Sequence, residues 1–162
     1  MKDALLAELD REAAVTRRML ERVPSDKFDW KPHEKSSTMG KLAAHIATLP
    51  RFAANVLKED VTEAGGHRPA ELPQDAAEII VAFEKSLAEA RSALERTSDD
   101  ELGKPWKLTF QEQTRMELPK HAAIQIVGLN HLVHHRAQLG VYLRLNDIPI
   151  PSSYGPSADE KA

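Results

Sequence analysis

The feature that most constrains this chain is the three-and-four spacing of its apolar residues. It recurs over four long segments and specifies helices. Leu6, Leu9, Ala13, Thr16, Leu20 and Val23 form one stripe with a single polar break, on a helix from about Asp3 to Arg22 that Pro24 ends. A second stripe, Leu42, His45, Leu49, Phe52 and Val56, predicts a helix running to about Lys58. Pro50 removes one backbone hydrogen bond inside it and should kink it. Ser36, Ser37 or Thr38 can cap its start by accepting a backbone N–H. A third helix opens at Asp75, with Glu78 three residues on as a capping-box partner. Its seam reads Ala76, Ile80, Phe83, Leu87, Ala90 and Leu94. The fourth begins at Pro119, a residue suited to the first turn, and continues to about Asn146.

The connections are long. Ser25 to Ser37 reads as an ordered loop with Trp30 tucked onto the helices, either covering their end or lining a pocket. Asp60 to Pro73 reads as a loop around Gly65-Gly66. Ser98 to Leu118 is the least helical stretch. There Trp106 to Phe110 and Thr114 to Leu118 can pair as a short hairpin over Gln111-Glu112-Gln113, with a plain loop as the alternative. The tail from Asp147 carries three prolines and should lie extended on the helices. The expected fold is therefore all-α, a four-helix bundle with long ordered linkers, in one domain spanning residues 1–162.

Composition narrows the function. Twenty-two basic and 25 acidic residues leave a net charge of −3. There is no basic block, which argues against a general nucleic-acid binder. Cysteine is absent, so disulfides, thiolate metal sites and cysteine nucleophiles are excluded. That absence fits a reducing, cytoplasmic setting. No apolar run is long enough to span a membrane, and the opening Met-Lys-Asp-Ala-Leu-Leu soon turns charged, unlike a signal peptide.

Histidine carries the chemistry. Helix four contains His131, His134 and His135. At about 100° per residue, His135 lies roughly 40° from His131, and His134 roughly 60° away on the other side. Either pairing can offer two imidazoles to one metal ion, and spacing does not choose between them. His45, on the stripe of helix two, is the candidate third ligand, because an imidazole facing a core needs a partner. Three neutral imidazoles suit zinc, nickel, copper or iron rather than magnesium or calcium. They also leave a position for water or substrate. The competing reading is a set of hydrogen-bonded histidines with no metal.

Three stretches resemble one known family. They are the run Asn130-His131-Leu132-Val133-His134-His135-Arg136-Ala137-Gln138-Leu139, the stretch Asp29 to Ser36 followed by Gly40 to Ala47, and the tail Pro151 to Glu160. Together, and in this order, they resemble the DinB-like family of metal-binding four-helix bundles. The resemblance implies a divalent ion held by three histidines, which match His45, His131 and His135, and so decides against His134. It also implies a homodimer, and relatives that include thiol-dependent transferases and an isomerase. The usual glycine before the motif's glutamine is Ala137 here.

Arg136 and Gln138 flank these histidines and are candidate substrate contacts. A salt bridge to a neighbouring helix competes for Arg136, and core or interface hydrogen bonding competes for Gln138. His33, His67 and His121 read as surface residues, and Asp159 and Glu160 as solvated. Leu129, Leu132, Leu139 and Leu143 form a second apolar stripe on helix four. A helix apolar on several faces must be buried, which points to a second subunit or to cover from the tail and the Ser98–Leu118 segment. The expected activity is metal-dependent transfer of a low-molecular-weight thiol, or hydrolysis, on a small molecule. A non-catalytic metal-binding stress protein is the alternative.

Overall fold

The computed structural model describes residues 1–64 and 73–161, so the expected turn at Gly65-Gly66 and the surface placement of His67 lie outside the described residues. Among the described residues, seven α-helical pieces and three strands follow one another: α1 (Lys2–Leu20), α2 (Met39–Thr48), α3 (Arg51–Lys58), β1 (Val61–Glu63), α4 (Ala76–Arg96), α5 (Asp99–Leu102), β2 (Pro105–Phe110), β3 (Gln113–Pro119), α6 (Lys120–Ala123) and α7 (His131–Arg144). A π-helical segment, Ile124–Asn130, joins α6 to α7 without a break in the helical path. The fold is mostly helical but not all-α, because β1, β2 and β3 form a small sheet in that order.

Local chemistry explains the boundaries. The Thr38 hydroxyl accepts the Lys41 backbone N–H and starts α2. Asp75 Oδ1 accepts the Glu78 N–H at 2.8 Å, while the Glu78 carboxylate takes the Gln74 N–H, so α4 opens on the expected cap. At Pro50 the expected kink is a full break. Thr48 ends α2, Leu49 and Pro50 keep helical dihedrals, and α3 restarts at Arg51. The missing proline N–H interrupts the ladder there.

The hairpin over Gln111 and Glu112 is present, with Phe110 paired to Gln113. Both turn residues have positive φ, 51° and 63°, the pattern of a type I′ turn, whose twist matches that of the strands. The third strand was not legible as such. Val61–Glu63 pairs parallel to β2, and buried Thr62 accepts a hydrogen bond from the Trp106 indole at 3.1 Å.

Two apolar clusters fill the interior. One gathers Met19, Leu20, Leu42, Ile46, Phe83, Leu132 and Leu139. The other, next to the sheet, gathers Leu5, Leu9, Val56, Leu94, Trp106 and Ile124. The stripes are close to those expected but rotated. On α1, Leu5 is buried and Leu6 partly so; on α4, Ile79 and Ser86 are buried while Ile80 and Leu87 are partly exposed. Leu129, Leu132, Leu139 and Leu143 are all buried within the single chain, so the stripe that suggested a second subunit is already covered.

The linker and tail are both tied down. Trp30 packs edge-on against Tyr142 of α7, ring centroids 5.6 Å apart, and Tyr142 donates to the Ser37 carbonyl. Gly40 lets Phe28 lie on the first turn of α2, since a Cβ there would sit 2.5 Å from the Phe28 ring. In the tail, Asp159 and Glu160 are not free in solvent. Asp159 pairs with Arg144, and Glu160 with Arg18 and Arg22.

Candidate metal centre

Two helices bring three histidines together: α2 supplies His45, and the first five residues of α7 supply His131 and His135. The Nε2 atoms of His45 and His131 lie 3.4 Å apart, and those of His135 and His131 lie 2.7 Å apart. One ligating nitrogen from each of the three falls within 4.8 Å of the others. Nitrogens at about 2.0–2.1 Å from a tetrahedral metal sit about 3.3–3.4 Å apart. The His45–His131 spacing already meets this, while the His131–His135 spacing is shorter.

His45 is not where the stripe placed it. Leu42, Ala43, Ala44, Ile46 and Ala47 around it are buried, whereas His45 shares an exposed edge of α2 with Lys41. Because α2 is apolar over most of its circumference, periodicity alone misassigned the seam. The edge position is what lets the ring meet α7 while staying reachable from solvent.

The second ring nitrogen of His135 is held from behind. The Gln138 amide oxygen lies 2.7 Å from His135 Nδ1, a contact that suits a ring proton on Nδ1 because an amide oxygen accepts. The His131 Nε2 faces that of His135. The backbone of Val127, in the π-helical segment, acts against the lowering of the His131 pKa. Insertions of this kind in a helix recur at functional sites. Partial burial first, then the neighbouring His135 and His131, push the His45 pKa down to about 4. Burial and then His135 lower that of His131 as well. Neutral imidazoles with exposed lone pairs are what a metal ion requires.

The other expected residues fall on either side of this cluster. His134 is exposed and turned to Gln138, with its Nε2 3.1 Å from the amide nitrogen. Arg136 is in the salt bridge rather than at the cluster. Its guanidinium is buried against α1, 2.8 Å from Glu12 and 3.0 Å from the Thr16 hydroxyl. Tyr154 from the tail closes this network by donating to Glu12 at 2.8 Å. Sequence reasoning missed both Glu12 and Tyr154, although a glutamate on the apolar face of α1 is a signal of a buried pair. His33 is exposed, and half-buried His121 bonds the Leu102 carbonyl.

Beside His135 opens a cleft of about 430 Å³ lined by Ser36, Ser37, Leu42, Gln138, Val141 and Tyr142. A larger furrow between α3 and α4, lined in part by Ala54, Lys58, Glu89 and Arg96, contains no histidine. The cleft is the relevant space, because it alone of the two reaches a cluster nitrogen-bearing side chain.

The sequence model of the DinB family matches residues 1–161. This chain belongs to the DinB family. A DinB relative, the uncharacterized protein YjoA of Bacillus subtilis (strain 168), is 29% identical over 132 residues, 80% of each chain. The crystal structure of the DinB-like YjoA from B. subtilis superposes with a TM-score of 0.72 at 23% identity, covering 90% of this chain and 96% of that one. A DinB-like protein from Bacillus cereus ATCC 10987 superposes equally well, also at 0.72, with 19% identity and 94% and 97% coverage. The DinB fold thus extends over nearly the whole chain. No helix among the described residues is long and apolar enough to cross a membrane.

Proposed function

We propose that this DinB-family protein holds one divalent transition metal ion, zinc, nickel or iron, through His45, His131 and His135. The observation that carries this reading is the convergence of three imidazoles from two helices, with one ring nitrogen of each within 4.8 Å of the others. A hydrogen bond between His131 and His135 accounts for their 2.7 Å approach, but His131 Nε2 offers only one proton or one lone pair, and His45 Nε2 also faces it at 3.4 Å. Burial and the neighbouring rings lower the pKa of His45 and His131, which favours the neutral rings that an ion needs. Family membership is compatible with the same conclusion.

With only three protein ligands, a bound ion would supply Lewis acidity that favours the deprotonated form of a water or thiol. The chain's own residues would do the rest. Ser36, Ser37 and Gln138 offer polar contacts in the cleft, while Leu42, Val141 and Tyr142 give it apolar walls. We therefore read the protein as a metal-dependent enzyme of transferase or hydrolase type acting on a small molecule, perched on a single-domain four-helix bundle. The alternative, a non-catalytic metal protein, draws on a different observation: the ligands come from α2 and α7, so an ion would cross-link two separate segments.

Elemental analysis of untagged protein tests the metal. About one equivalent is expected in the wild type and background in His131→Ala, and equal content in the two would overturn the site. Turnover of electrophiles with small thiols, lost on chelation and restored by the metal, separates the enzyme from the cross-linked scaffold.

A further inference from the structure

The tail does more than lie on the helices. Ile148, Ile150 and Pro151 pack into the bundle and anchor its near end. Beyond them, residues 152–160 fold back on that anchor. The Ser157 hydroxyl donates to the Ile150 carbonyl at 2.7 Å, the Ile150 N–H donates to Asp159 at 2.8 Å, and the Ser152 N–H donates to Glu160 at 3.1 Å. Three arginines clasp the acidic end: Glu160 meets Arg18 and Arg22 of α1, and Asp159 meets Arg144 of α7. We propose that residues 152–160 are an electrostatic strap, held closed over the buried Glu12–Arg136 pair by surface ion pairs and released by rising ionic strength while the bundle stays folded.

What the strap covers is charged. The Tyr154 hydroxyl donates to Glu12 at 2.8 Å, and the Arg136 guanidinium lies 5.6 Å from the Tyr154 ring centre. Glu12 and Arg136 are buried, yet Tyr154 itself is 69% exposed. The pair is thus sealed by a side chain that stands mostly in water. What holds the strap is exposed as well. Arg18, Arg22 and Arg144 are 42–45% exposed, and ion pairs of that kind are individually weak and screened by salt. Little else holds its tip, since a Cβ on Gly155 would meet nothing within 4 Å. Each carboxylate serves an arginine and a backbone N–H together, so losing the clasp also frees the amides of Ile150 and Ser152. Segments with few buried contacts and exposed hydrogen bonds open locally, below the threshold of global unfolding. Opening here would let water reach Arg136, one residue along α7 from His135, whether or not a metal is bound.

The test is amide hydrogen exchange of the full chain at fixed pH, in about 0.05 M and about 1 M sodium chloride. At high salt the Ile150 and Ser152 amides should exchange roughly 5- to 20-fold faster, with those of α4 little changed. Asp159→Asn with Glu160→Gln should exchange fast at both salts. Tyr154→Phe leaves the arginine clasp intact and should keep the salt response. Three results would each overturn the proposal. They are equal exchange at the two salts, acceleration shared by the α4 amides, and a salt response abolished by Tyr154→Phe. Should the double variant fail to fold, the wild-type comparison alone decides.

Discussion

The Arg136 guanidinium lies 2.8 Å from the Glu12 carboxylate, and both side chains are only 3% exposed. This buried pair joins α7 to α1 one residue along the helix from His135. Removing one partner leaves an uncompensated charge in the interior, which typically costs about 3–5 kcal/mol. Arg136→Met should therefore lower the urea midpoint sharply. The double variant with Glu12→Leu should recover part of the loss. A midpoint within error of wild type for Arg136→Met would show that the pair is not buried as described.

Metal binding should appear as stability. An ion present at 100 times its Kd and bound only by the folded state adds about 2.7 kcal/mol. Thermal melts with and without zinc should separate accordingly, and a chelator should reverse the shift. In His45→Ala, His131→Ala and His135→Ala the two melts should coincide. A zinc-dependent shift that survives all three substitutions would place the ion elsewhere.

The metal-free protein should lose stability in mild acid. Folding lowers the His45 pKa from 6.5 to about 4, so between those values the unfolded chain binds more protons. The contribution is complete above about pH 6.5 and disappears as the pH falls toward 4. His131 shifts in the same direction and adds to the slope. Urea midpoints measured from pH 7.5 to 4.5 should fall, and His45→Phe should flatten the curve.

The hairpin turn is open to improvement. Gln111 and Glu112 both hold positive φ, which costs an ordinary side chain about 1 kcal/mol or more. Asn and Gly are the residues suited to a type I′ turn. Gln111→Asn with Glu112→Gly should raise stability by about 1 kcal/mol, read as an increase in Tm. The Gln111 backbone N–H would keep its bond to Glu63.

How much of this was legible depended on what each signal measures. Capping residues report backbone hydrogen bonds directly, so Thr38 and the Asp75–Glu78 pair were readable. Periodicity reports burial and fails where burial is nearly uniform, as around His45. It also assumes a constant rise and turn, which the π-helical segment before His131 violates. The strand at Val61–Glu63 is three residues long, too short for alternation to register, and its partner is more than 40 positions away in β2. Helical spacing brought His131 together with two candidates. The choice of His135 came from resemblance, and its geometric reason, the Gln138 bond to Nδ1, is a side-chain contact that spacing does not encode.

The two apolar clusters draw on the same long helical stretches. Leu9 of α1 and Leu94 of α4 belong to one, Leu20 and Phe83 of the same helices to the other. Damage at the strand end is thus transmitted along shared rods to the imidazoles. Heating should dismantle both regions in a single cooperative step, with no surviving half to retain an ion.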